Sequence, residues 1–426
     1  MDDTIFALSS GSPPAAISII RVSGPCAHSA GKALAGRLPE VRQAAVRELR
    51  DPQSGELLDE ALVLRFDGPA SSTGEDLVEF HCHGGRAVVE GVLGSLSRIA
   101  SLRAAKPGEF TRRAFQNGRI DLTEAEGLAD LIEAETESQR RSALAMAEGG
   151  LSKRIHAWQQ RLLELSARAE AAIDYVDEES GDDDSALRSD CGALAIELEE
   201  WLEMPRAEPL RDGVRAVISG PPNAGKSSLL NAIAGFERAI VTELPGTTRD
   251  HIEVAMALSG IPVRLTDTAG LRESGELVER IGVERARSLI GVADVLVWLG
   301  EPSDAPQHPR AIRVHARSDL PNRGHAPDGS IAVSSVTGAG LAELTEAIIR
   351  ESRALLPAEG QLALNRRQAA CLAEARDSLR AAESAGDLVI RAESLRQARA
   401  AFDRLTGRAG VEDLLDALFG RFCLGK

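Results

Sequence analysis

The period of hydrophobic and polar positions changes several times along the chain. From 1 to 118 the apolar residues come in short runs of strand length, Ala16-Ile17-Ser18-Ile19-Ile20-Arg21-Val22 and Leu77-Val78-Glu79-Phe80, punctuated by Pro-Gly and Ser-Gly pairs. Runs of this kind between turn residues predict a mixed α+β segment. From about Leu122 the spacing becomes helical. Thr123 and Glu126 stand in the order of a capping box. Leu151, Ile155, Trp158, Leu162, Leu165 and Ala169 recur every three or four residues, which is one face of a long helix. The acidic loop Asp182-Asp183-Asp184 is expected to break that helix, after which Leu187, Cys191, Leu194, Leu198 and Trp201 resume the period. Helical spacing returns after Pro357, with Leu372, Ala375 and Leu379 and then Leu388, Leu395, Phe402 and Leu405.

The block from 212 to 354 has another texture. Short apolar strands at Val214–Ser219, Val263–Thr266, Asp294–Leu299, Ala311–Val314 and Ile331–Val333 alternate with helical stretches. Such alternation predicts a parallel sheet with helices on both faces. The fold class expected is therefore multidomain: an N-terminal α+β domain over 1–118, an all-α helical domain from 119–211 and 355–426, and an α/β domain inserted at 212–354. A length of 426 residues, too much for one core, agrees with this division.

Composition sharpens the partner question. The net charge is −16, but residues 119–211 hold ten basic against 23 acidic residues, a net −13. The remainder is close to neutral, so the overall sign does not exclude an RNA partner met through local arginine patches or a surface shared with another protein. The longest apolar runs fall short of a membrane span. Met1-Asp2-Asp3-Thr4 does not read as a signal peptide, and five scattered cysteines without a C-x-x-C pair argue for a reducing compartment. The expected location is cytoplasmic, with no membrane partner. Only five basic residues are lysines: Lys32, Lys106, Lys153, Lys226 and Lys426.

One of these lysines lies in Gly220-Pro221-Pro222-Asn223-Ala224-Gly225-Lys226-Ser227-Ser228, between an expected strand and an expected helix. That context is what a phosphate-binding P-loop requires. Backbone N–H groups around Asn223, Ala224 and Gly225 cradle phosphate, Lys226 supplies charge, and Ser227 offers a hydroxyl to magnesium. Asp267-Thr268-Ala269-Gly270 follows a later strand, where Asp267 reaches the metal through water. Between them, Thr242-Glu243-Leu244-Pro245-Gly246-Thr247-Thr248 offers a second hydroxyl. The order indicates a switch-type GTPase. Base selection falls to Asp319, in Ala316-Arg317-Ser318-Asp319, and to Ser334-Ser335-Val336; Ala316 lacks the amide that an asparagine would bring. Leu271 cannot orient a water, which leaves Arg272, Glu273, Glu276 and Glu279 as candidates. Asn223, with carbonyls of 242–247, could hold a monovalent cation.

Four further motifs stand outside that block: Thr73-Gly74-Glu75-Asp76 with His81-Cys82-His83-Gly84-Gly85; Pro107-Gly108-Glu109-Phe110-Thr111-Arg112-Arg113-Ala114-Phe115; Asp121-Leu122-Thr123-Glu124-Ala125-Glu126; and Phe422-Cys423-Leu424-Gly425-Lys426. With the GTPase motifs and the domain order, they resemble the MnmE (TrmE) family of bacterial tRNA-modifying GTPases along nearly the whole chain. The resemblance implies a folate-binding-like N-terminal domain that joins a homodimer. It implies an FAD-dependent partner, MnmG (GidA), in a heterotetramer or larger complex, and a carboxymethylaminomethyl-type modification on carbon 5 of the tRNA wobble uridine. GTP hydrolysis would drive conformational change, with potassium in place of an arginine finger. By motif position, Asn223, Thr242, Leu244 and Thr247 would bind potassium, Ser227 and Thr248 magnesium, and Glu279 would orient the attacking water. Arg21, Glu79, Arg119 and Lys426 would contact 5-formyltetrahydrofolate or a related folate.

For Cys423, a catalytic thiol and a buried structural cysteine both remain open, while packing is the ordinary reading of His81 and His83, two apart on a strand. The loop Ser10–Ala16, Arg119 in place of a frequent lysine, and Ala316 depart from the family pattern. The GTPase block alone also fits a GTP-switched ribosome assembly factor; the folate-type motifs and Cys423–Lys426 favour the modifying enzyme.

Overall fold

The computed structural model describes residues 3–174, 181–236, 252–268, 287–358, 360–409, 412–422 and 424–425. They form two units, one of Met1–Ala129, Ala147–Gln159 and Phe402–Lys426, the other of Asp130–Met146 and Gln160–Ala401.

In the first unit a six-stranded sheet has the order β3-β4-β5-β2-β1-β6. Its strands are β1 Thr4–Leu8, β2 Ile17–Ser23, β3 Ala44–Arg50, β4 Leu57–Phe66, β5 Leu77–His83 and β6 Leu102–Ala104. The two runs expected from the sequence, β2 and β5, pair antiparallel from Ile17 opposite His83 to Ser23 opposite Leu77. Helices α1 (Ala27–Ala35) and α2 (Arg86–Ser97) bring Leu34, Val92 and Leu96 to a core shared with Ile20, Val22, Val78 and Phe80. A second core joins Leu122, Ala125 and Ala129 to Leu415, Leu418, Phe419 and Phe422. The chain passes so close there that a side chain at Gly108 (φ 67°) would strike the Phe419 carbonyl, so only glycine fits.

A buried guanidinium ties this unit together. Arg113, on helix α3 (Glu109–Gln116), has no solvent exposure. Its Nη2 donates to Asp3 Oδ1 at 2.9 Å and to Glu109 Oε1 at 3.3 Å, and its Nη1 to Glu75 at 3.1 Å and to the Asp3 carbonyl at 3.0 Å. Burial raises the pKa of Glu109. The hydrogen bond from Arg103, the Lys106 N–H and the charges of Arg103 and Arg113 outweigh it, and the carboxyl stays below its ordinary range.

Four helices follow: α4 Leu122–Glu133, α5 Glu137–Ala147, α6 Gly150–Asp174 and α7 Gly181–Glu203. The periodic face of α6 is buried from Leu151 to Ala169, as its spacing predicts. Two local expectations are corrected. The capping box of α4 is Asp121 with Glu124, not Thr123 with Glu126: Asp121 Oδ1 accepts from Glu124 N–H at 2.9 Å, and Glu124 Oε2 accepts from Asp121 N–H at 2.7 Å. Asp121 wins because the Thr123 hydroxyl itself donates to it, at 2.8 Å. α6 ends at Asp174 and a new helix follows, as expected, but Asp182–Asp184 stand in the first turn of α7 instead of in a loop, while 175–180 lie outside the described residues; acidic residues in a first turn are favoured by the helix dipole. Asp184 pairs with Arg188 at 2.9 Å and with the fully buried Arg391.

The second unit holds another six-stranded sheet, β12-β11-β10-β7-β9-β8. Short helix α8 (Glu208–Arg211) leads into β7 Val214–Ser219 and α9 Lys226–Phe236. Strands β8 Ile252–Leu258, β9 Ile261–Asp267, β10 Val295–Trp298, β11 Ala311–Ala316 and β12 Ile331–Val333 follow, then α10 Leu341–Arg353. The expectation of a parallel sheet needs one correction: β8 runs antiparallel to β9. The two are joined by Ser259 and Gly260, both with positive φ, the turn geometry that matches hairpin twist. The chain then returns to helices α11 Arg366–Ser384, α12 Leu388–Thr406 and α13 Glu412–Gly420. No described helix is long and apolar enough to cross a membrane.

Replacing Arg113 by Ala leaves three carboxylates without their shared partner and is expected to lower stability by about 3–5 kcal/mol in urea unfolding. The depressed Glu109 pKa contributes stability above its unfolded value of 4.5. That part is lost as pH falls through the folded value, so the unfolding midpoint should drop with acidification below pH 4.5 and less so in Arg113→Ala.

Candidate functional site

The carboxyl ends of the parallel strands β7, β9, β11 and β12 carry the phosphate and base motifs, the edge where open α/β sheets bind ligands. β7 ends at Ser219, and the loop turns at Gly220, where a side chain would meet Leu299 at 3.1 Å. It continues through Asn223 (φ 62°) and Gly225 (φ 96°) into α9. Positive φ at these places points successive N–H groups inward, which is what makes such a loop a nest for anions. Lys226 is almost wholly buried, and its ammonium donates to the carbonyls of Gly220 (3.0 Å) and Pro221 (2.9 Å).

Ser227 Oγ donates to Asp267 Oδ2. Asp267 ends β9 without solvent exposure. A hydroxyl that can bind a hard divalent cation, beside a carboxylate that can hold that cation's water, fits the magnesium expected there. Thr268 Oγ1 donates to the Ile218 carbonyl at 3.1 Å, tying the end of β9 to β7.

On the base side, Ser318 N–H donates to the Val333 carbonyl at 3.2 Å and Arg323 Nε to the Ala316 carbonyl at 3.0 Å. Asp319 is exposed. The buried Ser334 hydroxyl accepts from the N–H groups of Val336 (3.3 Å) and Thr337 (3.1 Å), which shapes the Ser334–Val336 turn. Sequence reasoning gave no role to Arg317. Its φ is 60°, and a side chain placed at Gly225 of the P-loop would meet its Nε at 3.5 Å. The signal was its place directly after Ala316, two residues before Asp319 at the end of the base motif.

Asn223, Ala224, Gly225, Lys226, Ser227, Ser228, Asp267 and Thr268 are thus gathered at one edge. Thr242 to Thr248, Ala269, Gly270, Arg272, Glu273, Glu276 and Glu279 lie outside the described residues, as do Cys423 and Lys426.

In the first unit Arg21 and Glu79 face each other across β2 and β5 and bond at 2.8–3.0 Å, with the Arg21 guanidinium 5.6 Å from the centre of the Phe110 ring. Arg119 is exposed, and a side chain at Gly74 would meet its Cγ at 3.2 Å. Gly425 abuts the Leu8 carbonyl, and Leu8 pairs with Ile20, the neighbour of Arg21. The terminal motif therefore reaches the strand pair that carries Arg21. His81, Cys82 and His83 have separate tasks: His81 contacts Glu79 at 3.4 Å and His83 contacts Asp59 at 2.7 Å. Burial, with the Asp59 charge, pushes the Cys82 thiol up to about 12, so it stays protonated and unreactive.

Comparison with known proteins covers the whole chain. Residues 4–119 match the family model described as GTP-binding protein TrmE N-terminus, and residues 122–423 match the one described as MnmE helical domain. Proteins named tRNA modification GTPase MnmE are similar throughout. That of Novosphingobium aromaticivorans is 51% identical over all of both chains, and that of Erythrobacter litoralis 52% over all of both. That of Zymomonas mobilis subsp. mobilis is 49% identical over 99% of this chain and 100% of its own.

Truncating Lys226 to Ala removes the one buried cation of the loop. Affinity for GTP with magnesium should fall by about 2–5 kcal/mol, thirty-fold or more, as read by fluorescent-nucleotide titration. Ser227→Ala should retain nucleotide binding without magnesium and lose the gain that magnesium brings.

Proposed function

The chain belongs to the MnmE family of tRNA modification GTPases, and from that premise we propose that it hydrolyses GTP in the modification of carbon 5 of the tRNA wobble uridine. The observation that carries the hydrolase reading is the Ser227 hydroxyl bonded to the buried Asp267 carboxylate beside Lys226.

On this reading Lys226 exchanges the Gly220 and Pro221 carbonyls for β- and γ-phosphate oxygens when GTP enters. Ser227 and Thr248 supply hydroxyls to magnesium, and Asp267 orients its water. Asp319 accepts from the guanine edge, between Arg317 and the Ser334–Val336 turn. Asn223, Thr242, Leu244 and Thr247 would hold potassium, which when bound supplies the positive charge that other GTPases draw from an arginine. Glu279 orients the attacking water by motif position, and Arg272 lies in the same segment.

The remaining assignments belong to the same proposal. Arg21, Glu79, Arg119 and Lys426 would bind a 5-formyltetrahydrofolate-type one-carbon carrier, with Cys423 beside them. The reach of Gly425 to Leu8 supports this, because it brings the terminal motif next to Ile20 and Arg21. Residues 1–118 are read as the folate-binding and dimerising domain, 119–211 with 355–426 as the helical domain, and 212–354 as the GTPase domain. A homodimer, an FAD-dependent partner of the MnmG type and a cytoplasmic location complete the reading.

Hydrolysis should accelerate when sodium is exchanged for potassium, and Glu279→Ala should abolish turnover while sparing nucleotide binding; equal rates in the two salts would refute the potassium assignment. Nucleoside analysis of tRNA from cells lacking the chain should reveal wobble uridines without the carbon-5 group. Unchanged wobble uridines would overturn the tRNA reading.

A further inference from the structure

The helices of the second unit hold an open cavity of about 630 Å³. It lies where the chain enters and leaves the α/β block. α7 contributes Glu199, the segment into α8 contributes Arg206, α8 contributes Glu208, and α11 contributes Arg366 at its start and Arg376 at its middle. Three arginines thus line one hollow.

Their charges are not cancelled alike. Arg376 is taken up by Glu199, at 3.0 and 3.2 Å, and by Asp377, at 2.6 Å. Glu208 gives one carboxylate oxygen to the backbone N–H of Arg366, at 2.6 Å. Among the described residues, the Nη1 of Arg206 is buried without a hydrogen-bond partner. A buried donor left unsatisfied is unfavourable by about 1–3 kcal/mol, and an acceptor brought within its reach would relieve that cost. Guanidinium forks match phosphate oxygens in number and plane. The rest of the lining includes Ala369, Ala370 and Ala373. Methyl walls without an aromatic ring or an amide offer nothing that reads a base, whereas a backbone phosphate asks only for cations.

We propose that this cavity is a phosphate site that takes the sugar-phosphate backbone of the tRNA, with Arg206 and Arg366 as its donors. At about 630 Å³ the cavity is larger than a lone anion needs. It places cationic contacts within helices whose first segment, 119–211, carries the net −13. The assignment to tRNA rests on the functional reading above; the phosphate chemistry rests on the cavity alone.

The test is binding of fluorescently labelled tRNA across a potassium chloride series, with the unmodified chain and the double variant Arg206→Ala/Arg366→Ala. The variant should lose about ten-fold or more in affinity, and its logarithmic salt slope should shrink by about 1 to 2, one unit or a little less per lost contact. Lysine at both positions should restore the slope. Basal GTP hydrolysis and the urea midpoint should match the unmodified chain, which separates lost contact from lost folding. Equal affinity and slope in chain and variant overturn the tRNA assignment. A second arm saturates the P-loop with GDP and adds inorganic phosphate: heat stabilisation of the unmodified chain but not of the variant supports the phosphate site, and equal stabilisation overturns it. If only this second arm separates the two while tRNA binds both alike, the source is a free phosphorylated ligand and the tRNA assignment falls. If the unmodified chain binds no tRNA, the functional reading and the tRNA assignment fail together, and the second arm decides the cavity.

Discussion

A positive charge withdrawn from water must find its counter-charges inside the protein, and Arg113 is where this chain meets that requirement. Asp3, Glu75 and Glu109 converge on one guanidinium from a strand end, a loop and a helix. Removing water from any of these groups alone would be costly; together they compensate each other. The motif residues Thr73–Asp76 and Glu109–Arg113 acquire a physical reason from this. Glu75 also accepts from Ser23 at 2.8 Å, so the network reaches the end of β2, two residues beyond Arg21. The strand pair that carries Arg21 and Glu79 is thereby held in place by charge as well as by its apolar core.

The second unit repeats the device with Arg391, which is fully buried, donates to the Ala382 and Ala385 carbonyls and pairs with Asp184. It fastens the first turn of α7 to the junction of α11 and α12. Against these closed networks, the α/β block keeps its polar groups at the rim. There the parallel strands end, and Lys226, Ser227 and Asp267 stand within reach of one another. Closed charge networks give rigidity, whereas a polar rim with hydrogen bonds that a ligand can replace gives a binding site.

How far this could be read from the sequence depended on the range of the interaction. The buried face of α6 and the P-loop depend on residues a few positions apart, and spacing alone revealed them. β3 and β4 were hidden because solvent takes one of their sides: β3 buries Leu49 alone, leaves Arg50 exposed and Arg47 half-buried, so no apolar run forms. β8 carried a usable signal, Ile252, Val254, Met256 and Leu258 at every second position, ahead of the Ser259-Gly260 turn. Ala255 and Ala257 fill two of the intervening positions, so Val254–Leu258 is one apolar run whose period alone does not separate strand from helix. The Arg113 network lay beyond any local pattern, since Asp3 and Glu75 are 110 and 38 residues away. The arginine hollow is hidden for the same reason: Arg206 and Arg366 belong to opposite ends of an insertion.

Residues beyond 402 rejoin the unit that begins the chain. A ribosome must therefore deliver the whole second unit before the first can be sealed. Through that interval Leu122 and Ala125 wait without Leu415, Leu418 and Phe419 to cover them, and the Leu8 carbonyl waits for Gly425. At about 5–20 residues per second, the delay is on the order of ten seconds or more. The emerging chain thus presents an unfinished apolar seam while the inserted block is still being made.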